Sequence, residues 1–130
     1  VKQLFKPGDQ KKFVKQVTAS DFVRFEAEVL HAVYATYSLA RDFEWSSRLF
    51  FIEMKELDEE GVGTFLSIDH KSPAFEGETV TITATVEKCE GHELICAIEA
   101  RVEDRIIAVG KTGQKMLKLE KLNRIFRRAV

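Results

Sequence analysis

Residues 79 to 88, "TVTITATVEK", alternate without a break: Val80, Ile82, Ala84 and Val86 fall on one face, Thr79, Thr81, Thr83 and Thr85 on the other. That period of two predicts a strand with one apolar and one hydroxylated face. "ELICAIEARVED" behaves likewise, with Cys96, Ile98, Ala100 and Val102 opposite Glu99, Arg101 and Glu103. Four extended segments are predicted, over about 62–70, 78–88, 92–104 and 105–117, separated by "KSPAFEG", "CEG" and a tight turn near "EDR". An earlier strand is predicted at 11–17, "KKFVKQV". The stretch that follows it, "TASDFVRFEAEVLHAVYA", holds Phe22, Phe25 and Val29 without clear periodicity and reads as irregular.

From about 35 to 57 the apolar positions take up a helical period. On a helical wheel Leu39, Phe43, Phe50, Met54 and Leu57 form one arc, with Ala40 and Phe51 at its border; Trp45, Leu49 and Ile52 lie on the far side. A helix of this length runs about 35 Å at 1.5 Å per residue. It is the only substantial element available to cover the antiparallel sheet that the strands predict. Because it is apolar nearly all round, a curled sheet is expected to wrap it, with a partner subunit covering the remainder. The tail, 120–128, reads as a short basic helix or a frayed end. The expected architecture is α+β, in one domain spanning 1–130.

Composition supports that picture. The chain of 130 residues has a 45% apolar content, ten phenylalanines and only two prolines. Those proportions predict an ordered globular chain, large enough to bury roughly two thirds of its unfolded surface. The apolar runs are too short for a bilayer span or a signal-peptide core, so a soluble, cytoplasmic protein is expected. Two cysteines are too few for a disulfide framework, which fits a reducing compartment. The net charge of −1 conceals basic ends: residues 1–17 hold five Lys against Asp9, and residues 111–128 hold seven Lys or Arg against Glu120. These ends read first as solvated faces. No aromatic interleaving or nucleic-acid motif accompanies them, and no nucleic-acid partner is expected.

The candidate chemistry lies on the long helix and the strand after it. Glu44 sits mid-helix with Arg48 at i+4 and Arg41 at i−3, the spacing of an ordinary surface ion pair worth about 0.3–0.5 kcal/mol. Alternatively it is a carboxylate at the margin of an enclosed helix, where partial desolvation suits a base or nucleophile. The wheel leaves both readings open. In "GVGTFLSIDH" a period of two puts Val62, Thr64, Leu66, Ile68 and His70 on the covered face, and Gly63, Phe65, Ser67 and Asp69 on the other. His70 is then a histidine satisfied at the core margin or a functional one. Thr36 reads as an N-cap or a back-bonded hydroxyl, or as a site residue about 12 Å along the helix from Glu44. Cys89, His92 and Cys96 have metal-like spacing, but a hairpin turn sends their side chains apart and no metal is expected. No nucleophile elbow, P-loop or dinucleotide fingerprint is present.

One long helix followed by a meander resembles the hot-dog fold. "ATYSLARDFEW", "GVGTFLSIDH", "GETVTITATVEKCEGHEL" and "LEKLN" resemble its fluoroacetyl-CoA thioesterase family, over about residues 33 to 125. The resemblance implies hydrolysis of an acyl-CoA thioester, with Thr36, Glu44 and His70 as the catalytic set. It implies no cofactor beyond the coenzyme A of the substrate, whose phosphates the basic ends are suited to meet. Gly63 matches a glycine lining the acyl pocket. Phe22 and Phe25 fall where the family has a lid. Gln114, in "GKTGQKM", stands where the family has an arginine, so a fluoroacetyl preference is not expected. A homodimer joined through sheet edges is expected as well. A hydratase or dehydratase acting on acyl-CoA, and a non-catalytic module binding acyl-CoA or a fatty acid, are the alternative readings.

Overall fold

The computed structural model describes residues 1–128. Seven strands and two helices follow in the order β1 (Gln10–Gln16), β2 (Phe22–Phe25), β3 (Glu28–Tyr34), α1 (Thr36–Met54), β4 (Glu59–His70), β5 (Thr79–Glu90), β6 (Glu93–Val102), β7 (Arg105–Lys118) and α2 (Leu119–Arg128), with a 3₁₀ turn at Ala19–Asp21. Five strands form one antiparallel sheet in the order β1-β5-β6-β7-β4, and α1 packs on its inner face. The alternation in β5 and β6 explains the packing. Val80, Ile82, Ala84, Val86, Leu94, Cys96, Ile98 and Ala100 are all buried, and meet Leu39, Phe43, Phe50, Phe51 and Met54 of α1 in one core. The hydroxyl row of β5 faces outward. Among the described residues β4 is an edge strand of twelve residues, paired only with β7. No helix among the described residues is long and apolar enough to cross a membrane.

Three features depart from the sequence reading. α1 ends at Met54, three residues early, because the chain must turn at 55–58 for Glu59 to pair with Lys118. Leu57, assigned to the apolar arc, therefore stands fully exposed in the turn. The segment read as irregular is a hairpin, β2-β3, whose turn residues Glu26 and Ala27 adopt φ of 52° and 68°. The far side of α1 agrees with the sequence reading: among the described residues its own chain does not cover it, and Trp45 and Ile52 are each 45% exposed.

The third departure governs the site. Gly63 opposes Gln114 and Phe65 opposes Gly113, which leaves Thr64 as an unpaired extra residue. Such a bulge shifts the alternation by one. Gly61 and Gly63 thus face α1 before the bulge, and Leu66, Ile68 and His70 face it afterwards. A strict period of two had put Gly63 and His70 on opposite faces.

Candidate active site

Thr36 is the first residue of α1, and Ala35, not Thr36, occupies the cap position. Its hydroxyl is free for another partner: Thr36 Oγ1 lies 2.9 Å from Nδ1 of His70, at the far end of β4. His70 Nε2 is buried and has no hydrogen-bond partner among the described residues. The first N–H of the helix to bond back is that of Leu39, to Ala35 O at 2.9 Å. The amides of Thr36, Tyr37 and Ser38 precede it and have no acceptor along the helix, which makes this terminus suited to developing negative charge.

Glu44 lies two turns further on, about 12 Å along the helix axis from Thr36. Its side chain is exposed and approaches Gly63, where an added Cβ would lie 3.9 Å from both carboxylate oxygens. Neither ion pair that the helical spacing allows forms. Arg48 instead donates to Glu60 at 2.8 Å, and Arg41 is held by Asp21 at 3.0 Å and Asp42 at 3.1 Å. Among the described residues the Glu44 carboxylate has no cationic partner within salt-bridge distance. It lines a cleft of about 290 Å³ together with Arg41, Trp45, Arg48, Gly61, Gly63 and Gln114. A larger groove, about 610 Å³, runs over Thr81, Thr83 and Thr85 on the outer face of the sheet, away from every candidate residue on α1.

Gln114 is buried on β7, where its amide nitrogen donates to Ser47 Oγ at 2.8 Å and to Glu44 O at 3.3 Å. A neutral side chain thus ties β7 to the α1 turn that carries Glu44. Of the two lid candidates, Phe22 is anchored in the core at 7% exposure, whereas Phe25 projects near the hairpin tip at 63%. Phe25 stands edge-on to Tyr37, with ring centroids 6.2 Å apart, and the Tyr37 hydroxyl takes the N–H of Arg24 at 2.7 Å. The hairpin is therefore fastened to the first turn of α1. Both cysteines are poor nucleophiles. Burial pushes the Cys96 thiol up to about 12 and raises that of Cys89 as well.

Sequence reasoning missed the polar network beneath the helix start. Lys15 reaches Asp21 at 2.7 Å and Asp42 at 3.2 Å, and the buried Tyr34 hydroxyl donates to Asp42. Burial raises the Asp21 carboxyl, but Lys15, the Thr18 amide and Arg41 outweigh it and hold the group below its ordinary value. Burial and the adjoining Asp42 carboxylate push the Tyr34 phenol above its usual range. Gly61 was also overlooked. Two glycines at i and i+2 in a strand are the available signal, since they mark a close approach by another element.

Comparison with known proteins agrees with this architecture. The family model described as Fluoroacetyl-CoA-specific thioesterase matches residues 17–120. Among proteins of curated function, none matches the chain. A hypothetical protein of Thermus thermophilus, described as a thioesterase superfamily member, is 32% identical with a TM-score of 0.91, covering 98% of this chain and 94% of its own. A phenylalanine-to-alanine mutant of the fluoroacetyl-CoA-specific thioesterase is 24% identical with a TM-score of 0.89, over 99% of this chain and all of the other. A hot-dog-like protein from Thermanaerovibrio acidaminovorans is 24% identical with a TM-score of 0.85, covering 95% of this chain and 93% of its own. The chain is a hot-dog domain that belongs to the fluoroacetyl-CoA-specific thioesterase family, a family of thioester hydrolases.

Proposed function

We propose that this protein hydrolyses acyl-CoA thioesters with Glu44, His70 and Thr36. The observation that carries the proposal is the contrast between a histidine and threonine bonded to one another and a carboxylate two turns along the same helix that, among the described residues, has no cation on it. As a base, Glu44 takes a proton from water while the water oxygen attacks the acyl carbonyl; as a nucleophile, its own oxygen attacks and water opens the resulting anhydride. Either route develops charge on the carbonyl oxygen, which the amides at the start of α1 are suited to accept. His70 supplies the proton for the departing thiolate by way of the exposed Thr36 hydroxyl: Oγ1 gives its proton to sulfur as the His70 Nδ1–H replaces it. Phe25 closes over the acyl group, which lies against Gly63 and Gln114. Two unpaired cysteines and a coenzyme A thioester substrate both suit the cytoplasm.

A homodimer completes the site in this reading. In one chain Glu44 stands about 12 Å along α1 from the Thr36–His70 pair. Yet Thr36, Glu44 and Gly63 are all exposed beside the free edge of β4. Antiparallel pairing of two β4 edges about a two-fold axis through Ser67, with Thr64 left out of the ladder by the bulge, sets Gly63 opposite His70 of the partner subunit. Glu44 then works with the partner's His70. The same pairing covers an edge strand that is otherwise unprotected.

Free-thiol release from short-chain, long-chain and aromatic acyl-CoA esters tests the activity. Glu44→Gln is expected to lower kcat by at least about 10³-fold with melting unchanged. Full activity in that variant refutes the assignment. The buried Gln114, in place of the family's arginine, favours one second reading, a module that binds acyl-CoA without turning it over. That reading predicts saturable binding and no thiol release on any ester.

A further inference from the structure

Both arginines within helical reach of Glu44 are turned away from it. Arg48, at i+4, donates to Glu60 Oε2 at 2.8 Å, while Glu60 Oε1 takes Lys55 Nζ at 2.9 Å. Arg41, at i−3, is engaged by Asp21 and Asp42. At these spacings a guanidinium and a carboxylate pair readily on an isolated helix. Glu60 wins the competition for Arg48 because it is already fixed in place. Its side chain is only 27% exposed, and the Gly61 N–H and Lys55 hold its two oxygens.

We propose that Glu60 is a positioning residue of the thioesterase site: by engaging Arg48 it leaves the Glu44 carboxylate unpaired and able to accept a proton or attack a carbonyl. The inference rests on the catalytic reading of Glu44. The charged groups that line the cleft around Glu44 are Arg41 and Arg48, both on α1. β4 presents only Gly61 and Gly63 there, and β7 only the neutral Gln114. Lys55, the other cation that Glu60 holds, is eleven residues from Glu44, about 16 Å along the helix, and does not reach it. Freed Arg48 is therefore the group that would quench Glu44.

The test is a cycle of Glu60→Gln, Arg48→Gln and their double variant, with thiol release measured as a function of pH. Glu60→Gln is expected to lower kcat about tenfold, equivalent to about 1.4 kcal/mol, and to move the acid limb of the profile to lower pH. In the Arg48→Gln background the same substitution is expected to bring no further loss. An equal loss in both backgrounds marks a merely structural role and overturns the proposal, as does no loss in either. Should Glu60→Gln fail to fold, Glu60→Asp is judged by the same rule, a loss that disappears with Arg48 or persists without it. Glu44→Gln separates the two claims, since full activity there defeats the catalytic reading itself. The ¹³C titration of the Glu44 carboxyl then still decides the contact: it shifts to lower pH in Glu60→Gln if Arg48 is released onto it, and stays unchanged if not.

Discussion

Two glycines on β4, two residues apart and facing the same helix, are expected to answer substitution in opposite ways. A Cβ on Gly61 would lie 2.3 Å from Cδ2 and 2.9 Å from Cε2 of Phe51, a ring only 1% exposed. Carbon atoms pack at about 3.5–4.0 Å, so the ring or the strand must move by more than about 1 Å inside a filled core. Overpacking of this kind costs about 1–3 kcal/mol. For a domain of this length that lowers the melting temperature by about 5–10 °C. A Cβ on Gly63 meets nothing closer than the two oxygens of Glu44, at 3.9 Å, an ordinary contact. Gly63→Ala is therefore expected to melt within about 2 °C of the parent. Its methyl group occupies the approach to the Glu44 carboxylate, and kcat/KM is expected to fall about tenfold. Thermal melts followed by circular dichroism, beside thiol-release kinetics, read both effects. A Gly61→Ala protein as stable as the parent refutes the packing argument. A Gly63→Ala protein with undiminished turnover refutes the placement of the substrate.

Other expectations follow from the polar groups. The Lys55 ammonium, with the Gly61 amide and Arg48, holds the Glu60 carboxyl down to about 2 against an ordinary 4.5 and against its partial burial. A depressed carboxyl stabilises the fold above its unfolded value and ceases to do so as pH falls through the folded one. Melting temperature is thus expected to decline between about pH 4.5 and pH 2, and the decline is expected to be shallower in Glu60→Gln, as differential scanning calorimetry would record. Tyr34→Phe removes the buried hydroxyl that donates to Asp42 and is expected to destabilise by about 1–3 kcal/mol. Urea unfolding checks it, and an unchanged midpoint contradicts a structural role for that bond.

The sheet was legible because its evidence is local. Val80, Ile82, Ala84 and Val86 alternate with threonines over eight residues, and a one-sided strand needs no distant partner to declare itself. The β2-β3 hairpin gave no such sign. Phe25, Val29 and Leu30 are apolar yet exposed, and its turn is made by Glu26 and Ala27, not by the asparagine or glycine that marks tight hairpins. The bulge at Thr64 escaped notice because a period of two assumes an unbroken ladder. Family resemblance named Thr36, Glu44 and His70, but it did not say which of them touch. The Thr36–His70 bond joins residues 34 apart. The Glu44 ion pairs that the helical spacing allows are absent because Glu60, twelve residues from Arg48, and the Asp21–Asp42 pair compete for the arginines. Local spacing counts the neighbours on one helix, whereas tertiary structure supplies the competitors.

The most direct test of the account mixes two inactive variants. Glu44→Gln and His70→Asn proteins, each without turnover alone, are unfolded together and refolded as an equimolar mixture, and thiol release is measured. If Glu44 of one protomer works with the partner's His70, half of the dimers are mixed and each carries one intact site, so about a quarter of the parental activity returns. If the mixture remains as inactive as its components, Glu44 and His70 do not form a thioesterase site across the β4 edge.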